Sequence, residues 1–276
     1  MMEKYHQLKQ LIAQYPRVMI AYSGGIDSTL VAKVAYDVLQ DQAIAVTANS
    51  PSLFPQDLEE AQTQAQTIGI KHLIINTHEL EDPRYSSNPP DRCYFCKSEL
   101  YDTLRPLSQE LNCSVILDGL NQDDLQDYRP GIKAAQERSV ISPLAQAGIS
   151  KLEVRQISQF LGLPWWNKPA QPCLSSRFPY GETITAAKLQ RVGQAEYILR
   201  QYLPPHTELR VRSVGDSARI EIPPSLFPLL LQQDLLTLTQ ALRQLGFKNI
   251  SLDLEGFRSG KLNDILKDHK PNSNET

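Results

Sequence analysis

A buried strand, a glycine turn and the start of a helix follow one another between residues 18 and 31. Residues 18–22 read Val-Met-Ile-Ala-Tyr, a short apolar run of the kind that a parallel sheet buries on both faces. Gly24 and Gly25 permit a tight turn and leave no side chain between the backbone and a ligand. The stretch therefore predicts a ligand-binding turn between a strand and a helix.

The helix after the turn begins with residues suited to a helix N-terminus. Asp27 and Ser28 are typical of a helix start. Apolar residues then recur with helical spacing, at Leu30, Val31, Val34, Ala35 and Val38. Free backbone N–H groups at the positive end of a helix dipole suit a phosphate or pyrophosphate. The pattern is not that of a Walker loop, because no Gly-Lys-Ser/Thr follows at the required spacing.

Six residues of the turn, 23–28 (Ser-Gly-Gly-Ile-Asp-Ser), resemble the PP-loop of the ATP pyrophosphatases. The resemblance implies an enzyme that uses ATP and Mg²⁺, cleaves ATP between the α- and β-phosphates, and adenylates a carbonyl or carboxyl oxygen. An ordinary strand–turn–helix connection is the alternative interpretation. The residues expected to bind ATP lie in the turn, at strand ends and in a polar loop: Ala21, Ser23, Gly24, Gly25, Asp27, Ser28, Ala48, Ser50, Gly119 and Arg129.

Several of these residues have a second interpretation. Asp27 either orients Mg²⁺ or caps the helix. Ala48 and Ser50 either line an adenosine pocket or simply end a strand. Arg129 lies in an Asp-rich loop and either contacts AMP, bridges domains or has a purely structural role.

Apolar strands alternate with helical patterns through the first half of the chain. After the turn unit, residues 43–49 read as a strand, 55–68 as a helix capped by Gly69, and 72–77 as a third strand. This alternation predicts an α/β fold with a doubly wound parallel sheet, the architecture that the PP-loop resemblance also implies (adenine nucleotide alpha hydrolase-like). In such sheets ligands bind beyond the carboxyl ends of the strands.

A segment without periodicity separates this sheet from the rest of the chain. Residues 163–181 contain four prolines, and a helix, strand pair, helix and strand follow. We expect an ATP-binding domain over 1–165 and a smaller α+β domain over 166–276 that binds substrate or forms oligomer contacts. Four further elements are predicted: a helix over 97–111, a short strand over 140–144, a helix started by a Ser150–Glu153 capping box, and a long helix over 226–245.

Composition excludes several classes of function. The chain has 276 residues, of which 41% are hydrophobic and 21% charged, as in ordinary globular proteins. A formal net charge of −3 gives no general attraction to nucleic acid. No apolar run is long enough to cross a bilayer, and the N-terminus lacks a signal-peptide core. We expect a cytoplasmic protein that binds neither nucleic acid nor membrane, and recovery in a secreted or membrane fraction would refute this.

The placement of the cysteines points to a sulfur or metal site. Cys93 and Cys96 form a Cys-x-x-Cys, and Cys173 follows at a distance. These residues fit a [4Fe–4S] cluster with one open iron, structural zinc with a fourth ligand, a redox dithiol, or unliganded thiols. Cys113 precedes a buried strand and is expected to be a packed side chain. A site of three cysteines requires Cys173 to fold back onto the other two.

Further stretches extend the resemblance over nearly the whole chain. Besides residues 23–28, they are 127–131 (Asp-Tyr-Arg-Pro-Gly), 168–177 (Lys-Pro-Ala-Gln-Pro-Cys-Leu-Ser-Ser-Arg), 210–212 (Arg-Val-Arg), 218–221 (Ala-Arg-Ile-Glu) and 256–263 (Gly-Phe-Arg-Ser-Gly-Lys-Leu-Asn). Together they resemble the ATP-dependent sulfur transferases that help build the nickel-pincer nucleotide cofactor of lactate racemase. The resemblance implies that each carboxylate of a pyridinium biscarboxylic acid mononucleotide is adenylated and converted to a thiocarboxylate.

The family includes two chemical variants. In one, the cysteine at position 173 gives up its own sulfur and becomes dehydroalanine. In the other, that cysteine joins a Cys-x-x-Cys to hold a [4Fe–4S] cluster, and a sulfide on the open iron is passed on. Because this chain also has Cys93 and Cys96, the resemblance favours the cluster variant, with Cys173 as the catalytic residue and all three cysteines as ligands.

A substrate with a phosphate and two carboxylates calls for guanidinium groups. Arg177, Arg210 and Arg212 are expected to bind it, and the last two alternate along a strand and so share one face. The alternative is a solvated strand face with surface ion pairs. Glu196 and Glu221 are interpreted first as residues of solvated faces and second as metal ligands.

Other activities and partners stay open at this point. A tRNA thiolation enzyme also combines a PP-loop with three cysteines, but it would need a basic surface. A PP-loop amide synthetase would need no cysteines, and a non-catalytic nucleotide sensor or cluster carrier would release no pyrophosphate. The resemblance also implies a homo-oligomer, and reloading of a cluster implies a sulfur-donor protein.

Overall fold

The computed structural model describes residues 1–126, 129–258 and 260–264. Parts of two stretches that carry the family resemblance, residues 127–128 and 259, lie outside the described residues, as does the C-terminal tail from 265. The chain divides into two compact units, Met1–Cys173 and Leu174–Thr276. The division falls later than the expected boundary at 165/166 and leaves Cys173 as the last residue of the first unit.

The first unit is built around a parallel sheet of four strands in the order β3-β2-β1-β4. Its strands are β1 (Val18–Ala21), β2 (Ala43–Asn49), β3 (Lys71–Asn76) and β4 (Val115–Leu117). Its helices are α1 (Met2–Ala13), α2 (Ile26–Leu39), α3 (Pro55–Ile68), α4 (Pro83–Ser86), α5 (Arg92–Glu110), α6 (Pro130–Glu137), α7 (Pro143–Gln146) and α8 (Lys151–Phe160). The α/β class and the parallel sheet predicted from the alternation of elements are confirmed.

Strand β1 is buried along its whole length because the sheet is covered on both faces. Val18 and Ile20 belong to the core that contains Leu30 of α2. Met19 belongs to a second core, with Tyr101 of α5. A strand buried on both faces needs apolar residues at every position, which explains the uninterrupted apolar run in the sequence.

Two helix boundaries follow from local sequence signals. Helix α3 ends at Gly69, which takes the left-handed conformation as its C-cap. At the start of α8, the Ser150 side chain accepts a hydrogen bond from the backbone N–H of Glu153, and the Glu153 carboxylate accepts one from the Ser150 N–H. The predicted cap and the predicted capping box are both confirmed.

Helix α5 begins at Arg92, earlier than the predicted start near residue 97. Cys93 and Cys96 therefore lie on the helix and not in the loop before it. The predicted strand over 140–144 is wrong, since Ile141 makes only an isolated parallel bridge to Leu117. None of the helices in the described part of the chain combines the length and the apolar character that crossing a membrane requires.

The second unit contains a mixed sheet in the order β5-β6-β7. Its elements are α9 (Ala186–Arg200), β5 (Arg210–Val214), β6 (Ser217–Glu221), α10 (Phe227–Leu231), α11 (Leu235–Gln244) and β7 (Asn249–Leu252). Strands β5 and β6 are antiparallel, and β6 and β7 are parallel. The single helix predicted over 226–245 is two helices, because the Asp234 carboxylate accepts hydrogen bonds from the N–H groups of Leu236 and Thr237 and starts a new one.

Candidate active site

The turn between β1 and α2 is held open by hydrogen bonds among its own serines. The Ser28 hydroxyl donates to the Gly25 carbonyl at 3.1 Å and accepts from the Ser23 backbone N–H at 3.2 Å. The Gly25 N–H donates to the Ser23 hydroxyl at 3.3 Å. In the described part of the chain, no side chain caps the N-terminus of α2. Its first-turn N–H groups therefore suit an anionic ligand.

Gly24 is required at its position by both conformation and contact. Its φ of +69° lies in the left-handed region. A Cβ added there would stand 2.8 Å from the Cβ of Ala61 on α3. The turn therefore packs against α3 as closely as backbone permits.

We predict that Gly24→Ala weakens nucleotide binding at least about tenfold, because left-handed strain of about 1–2 kcal/mol and the clash with Ala61 both push the turn out of shape. Equilibrium dialysis with a non-hydrolysable ATP analogue measures the effect. Gly148→Ala is the matched control, since Gly148 has a φ of +62° but nothing within 4 Å of the added Cβ. Equal nucleotide affinity in Gly24→Ala and wild type would contradict the prediction.

Asp27 lies in the first turn of α2 and is held by two polar neighbours. Its carboxylate accepts a hydrogen bond from the Asn121 amide at 3.0 Å and lies 3.9 Å from the Lys151 ammonium. Burial raises the pKa of the Asp27 carboxyl above its usual value, and the attraction of Lys151 opposes that rise. Asp27 does not cap α2, whose N-cap is Gly25, so the capping interpretation is wrong.

The other residues expected near ATP occupy the carboxyl ends of the strands. Ala21 is buried at the end of β1, and Ala48 is half-buried on β2. Gly119 follows β4, where an added Cβ would stand 2.7 Å from the Ser28 backbone nitrogen. Gly119 thus allows the end of β4 to touch the first turn of α2.

Ser50 is engaged by a buried carboxylate. Its hydroxyl donates to Glu79, which is 2% exposed, and hydrogen bonds to the Ser52 hydroxyl at 2.7 Å. Ser52 also donates to Glu79, at 3.2 Å. Ser50 is therefore part of a polar cluster after β2 and does more than end the strand.

Lys168 is a site residue that sequence reasoning missed. Only 7% of the residue is exposed, and its ammonium contacts the Gly24 carbonyl oxygen at 3.4 Å and a Glu60 carboxylate oxygen at 2.9 Å. Asn121 and Lys151, the partners of Asp27, were missed as well. Lys168 begins one of the stretches that carry the family resemblance, which was the signal available to find it.

The charge of Cys173 acts on the other two thiols of the predicted sulfur site. The pKa of the Cys93 thiol is raised, mainly because neighbouring protein atoms exclude water from it and secondly because of the charge of Cys173. Burial, Glu79 and Cys173, in that order, raise the pKa of the Cys96 thiol. Whether Cys173 and the other two thiols form one sulfur site stays a prediction. Cys113, partly buried, packs beside the second core cluster, as expected.

None of these cysteines forms a disulfide. Within residues 1–126, 129–258 and 260–264, no group of three or more His, Cys, Asp or Glu side chains is arranged closely enough to hold a metal ion. Cys93, Cys96 and Cys173 all belong to the first unit. Arg129 pairs with Asp124 at 2.7 Å within the same unit, and its charge also acts on Cys93.

The three arginines expected to bind substrate lie together in the second unit, but they are buried. Arg177 makes a two-pronged ion pair with Glu196, with N–O distances of 2.7 and 2.8 Å, and both side chains are 3% exposed. Arg212 donates to Glu221 at 2.9 Å and to the Ser176 carbonyl at 2.6 Å. The alternative of a solvated strand face is therefore wrong.

The environment of Arg210 in the second unit disfavours its positive charge. Burial and then repulsion by Arg177 lower the pKa of Arg210 to about 10, so it stays protonated at neutral pH. Its guanidinium lies 5.0 Å from the centre of the Phe257 ring.

The carboxylates that were placed on solvated faces are also buried. Glu196 is 2% exposed and Glu221 is fully buried. Glu196 further accepts a hydrogen bond from the Val211 N–H at 2.9 Å, which joins α9 to β5. Charged residues are seldom buried unless they are paired, and pairing with arginine explains both cases.

Comparison with known proteins supports a shared origin for both units. A model of the NAD synthase family matches residues 3–87. An uncharacterized protein of Synechocystis sp. is 59% identical over 264 residues, which cover 95% of this chain and 98% of that protein. Pyridinium-3,5-bisthiocarboxylic acid mononucleotide synthase of Lactiplantibacillus plantarum is 40% identical over 252 residues, 91% of this chain and 90% of that protein.

More distant similarity connects the chain to GMP synthases. A subunit of the glutamine-hydrolyzing GMP synthase of Saccharolobus solfataricus is 27% identical over 224 residues, which cover 72% of this chain and 58% of that protein. The similarity to the Synechocystis and Lactiplantibacillus proteins, in contrast, extends over at least nine-tenths of this chain.

Proposed function

Since the chain belongs to the PP-loop family of pyridinium-3,5-bisthiocarboxylic acid mononucleotide synthase, we propose that it converts the two carboxylates of pyridinium-3,5-biscarboxylic acid mononucleotide to thiocarboxylates. The chain is an ATP-dependent enzyme of this family. One observation carries the proposal: the segment that begins with Lys168 at the nucleotide turn ends at Cys173, whose charge acts on Cys93 and Cys96. The glycine turn and the three cysteines belong to one unit, which supports the proposal.

The first step is adenylation. A substrate carboxylate oxygen attacks the α-phosphorus of ATP, the bond to the bridging oxygen breaks, and pyrophosphate leaves. The N-terminus of α2 supports this step, since no side chain caps it and the helix dipole there attracts a triphosphate. Hydroxyl and N–H groups of the turn lie beside it, from Ser23, Gly25 and Ser28. Mg²⁺, held through Asp27, shields the phosphate charge when bound.

The second step replaces oxygen by sulfur. A sulfur nucleophile attacks the acyl carbon of the adenylate, and the bond between that carbon and the AMP oxygen breaks. We assign Cys173 to this step because it lies at the end of the anchored segment and is exposed. We also propose that Arg177, Arg210 and Arg212 bind the anions of the substrate, because guanidinium groups pair with carboxylate and phosphate.

Two sources of sulfur are compatible with this arrangement. Cys93, Cys96 and Cys173 would hold a [4Fe–4S] cluster, which when bound supplies a sulfide on its open iron as the nucleophile. In the alternative, the Cys173 sulfur itself forms the new carbon–sulfur bond, its bond to Cβ then breaks with loss of the α-hydrogen, and dehydroalanine remains. The presence of Cys93 and Cys96 on the same unit as Cys173 favours the cluster.

We predict that Cys93→Ala loses both iron and acid-labile sulfide when the protein is purified anaerobically, because two cysteines do not retain a cluster that three hold. Colorimetric iron and sulfide assays measure this. Cys113→Ala, which alters a partly buried thiol outside the site, serves as the control and keeps both. If Cys93→Ala keeps full sulfur transfer and Cys173 loses the mass of hydrogen sulfide, the cysteine itself is the donor.

The overall function is tested by coupling nucleotide turnover to substrate. Incubation with ATP, Mg²⁺ and the dicarboxylate should release AMP and pyrophosphate only when the dicarboxylate is present, and mass spectrometry should detect the thiocarboxylate. Turnover that requires tRNA instead would favour a tRNA thiolation enzyme, although the net charge of −3 argues against that partner.

The proposal also includes the setting of the reaction. We propose a cytoplasmic homo-oligomer whose cluster, if used repeatedly, is reloaded by a sulfur-donor protein. Sedimentation and pull-down from an anaerobic extract test the assembly and the donor separately.

A further inference from the structure

The Lys168 ammonium is buried among acceptors that belong to two different elements. Its side chain is 6% exposed and lies 2.9 Å from Glu60 and 3.9 Å from Asp57, both on α3. It also donates to the Gly24 carbonyl of the turn at 3.4 Å. A buried ammonium is costly unless it is paired, so these contacts fix where the Lys168 backbone lies.

The contact with Glu60 continues into a buried polar network. Gln64, one turn further along α3, donates to Glu60 at 3.2 Å. The side-chain amide oxygen of Gln64 accepts a hydrogen bond from the Thr29 hydroxyl of α2 at 2.8 Å and one from the Tyr22 hydroxyl at 3.1 Å. Lys168 is therefore attached, through α3, to the strand end and the helix start on either side of the turn.

Lys168 also stands at the start of an irregular segment that ends at Cys173. Residues 168–173 form neither helix nor strand, so side-chain contacts set the path of this segment. The Lys168 ammonium is one such contact, and it reaches the turn directly. The Lys168 ammonium thus connects the turn to the start of the segment that leads to Cys173.

We propose that Lys168 is a positioning residue that couples occupancy of the nucleotide turn to the reactivity of Cys173. The ammonium is shared between carboxylates of α3 and a carbonyl of the turn, and phosphates bound beside Gly24 add a stronger anionic partner. The Lys168 ammonium then moves toward the phosphates and away from the carboxylates of α3, and residues 168–173 move with it. The inference rests on the proposed function, because it requires nucleotide at this turn.

Alkylation of Cys173 by iodoacetamide measures the coupling in the full-length protein, purified in air so that no cluster occupies the thiol and then reduced. Peptide mass spectrometry follows the labelling rate with and without Mg²⁺ and α,β-methylene ATP. We expect bound nucleotide to change the rate at least about fivefold in wild type, the lower end of typical coupling between sites. Lys168→Met should reduce the change below about twofold, whereas Lys168→Arg, which keeps the charge, should retain it.

Two further variants keep the test decisive. Lys33→Met removes a lysine paired with Asp37 on the surface of α2 and should behave as wild type. Glu60→Gln keeps the size of the side chain but removes its charge, and it should weaken the coupling even if Lys168→Met does not fold.

The outcomes separate the two proposals. If equilibrium dialysis finds no nucleotide binding to wild type, the proposed function fails. If nucleotide binds but leaves Cys173 labelling unchanged, or if Lys168→Met and Glu60→Gln both fold and keep the full effect, the coupling role of Lys168 is wrong while the proposed function stands.

Discussion

Replacing Cys173 with serine should abolish thiocarboxylate formation while leaving adenylation of the substrate in place. The nucleotide turn does not depend on the Cys173 thiol, whereas the second step needs a sulfur nucleophile or a sulfur ligand at that position. Loss of an essential nucleophile costs several orders of magnitude, so we expect product formation to fall at least about a thousandfold. Product mass and isotope exchange between pyrophosphate and ATP measure the two steps.

The matched control is Cys113→Ser, which changes a partly buried thiol beside the sheet and should keep sulfur transfer. Exchange of pyrophosphate that continues in Cys173→Ser shows that the turn and the substrate site are intact. Thiocarboxylate formed by Cys173→Ser at more than a tenth of the wild-type rate would remove Cys173 from the chemistry. Loss of exchange together with product would mean that the substitution damages the ATP site.

Breaking the buried pair of Arg177 and Glu196 should have the largest effect on stability. Arg177→Met leaves the Glu196 carboxylate without its two-pronged partner in a site that is almost fully buried. Removing one member of a buried ion pair typically costs about 3–5 kcal/mol in the free energy of unfolding. Urea denaturation followed by circular dichroism measures the loss, which in a two-unit chain is assigned to the transition of the second unit.

The double variant Arg177→Met/Glu196→Leu tests the cause. With both charges replaced by apolar groups, much of the stability should return, because no buried charge is left unpaired. Lys248→Ala, which breaks the exposed pair with Asp216, should leave unfolding unchanged. If Arg177→Met unfolds as wild type does but raises the KM for the dicarboxylate, Arg177 binds substrate and its pairing contributes little.

The same pair gives stability a dependence on pH with a definite sign. Burial would raise the pKa of Glu196, but the attraction of Arg177 and the hydrogen bonds to the carboxylate outweigh it, so the pKa is lowered. A lowered pKa in the folded state means that the stabilisation is present at neutral pH. It is lost as pH falls from the usual range of a glutamate through the folded-state value.

Local signals in the sequence located the elements that position the nucleotide turn. Helix α3 runs from Pro55 to Ile68 as predicted, because Pro suits a first helical turn and Gly69 suits a left-handed cap. Strand β2 has the predicted bounds because its apolar run is bordered by polar residues. These features depend on a few neighbouring residues, and so they can be inferred without tertiary contacts.

The errors concern features that depend on residues distant in sequence. The start of α5 was placed too late because Cys93-Tyr-Phe-Cys96 shows no helical periodicity, although the helix continues through it. Glu196 was placed in solvent because nothing near it in the sequence announces Arg177, which lies on a different element. Lys168 was overlooked as a contact of the turn for the same reason, since Gly24 lies far away along the chain.

The contact between Gly119 and Ser28 has a consequence for how this turn tolerates change. Gly119, after β4, leaves room for only a hydrogen atom beside the backbone at the start of α2. A methyl group there would stand 2.7 Å from the Ser28 nitrogen. Any larger residue at position 119 must displace the start of α2 and so widen the turn that binds the triphosphate. The lack of a side chain at Gly119 therefore sets the distance between the end of β4 and the start of α2. In a saturation library, position 119 should accept glycine and little else.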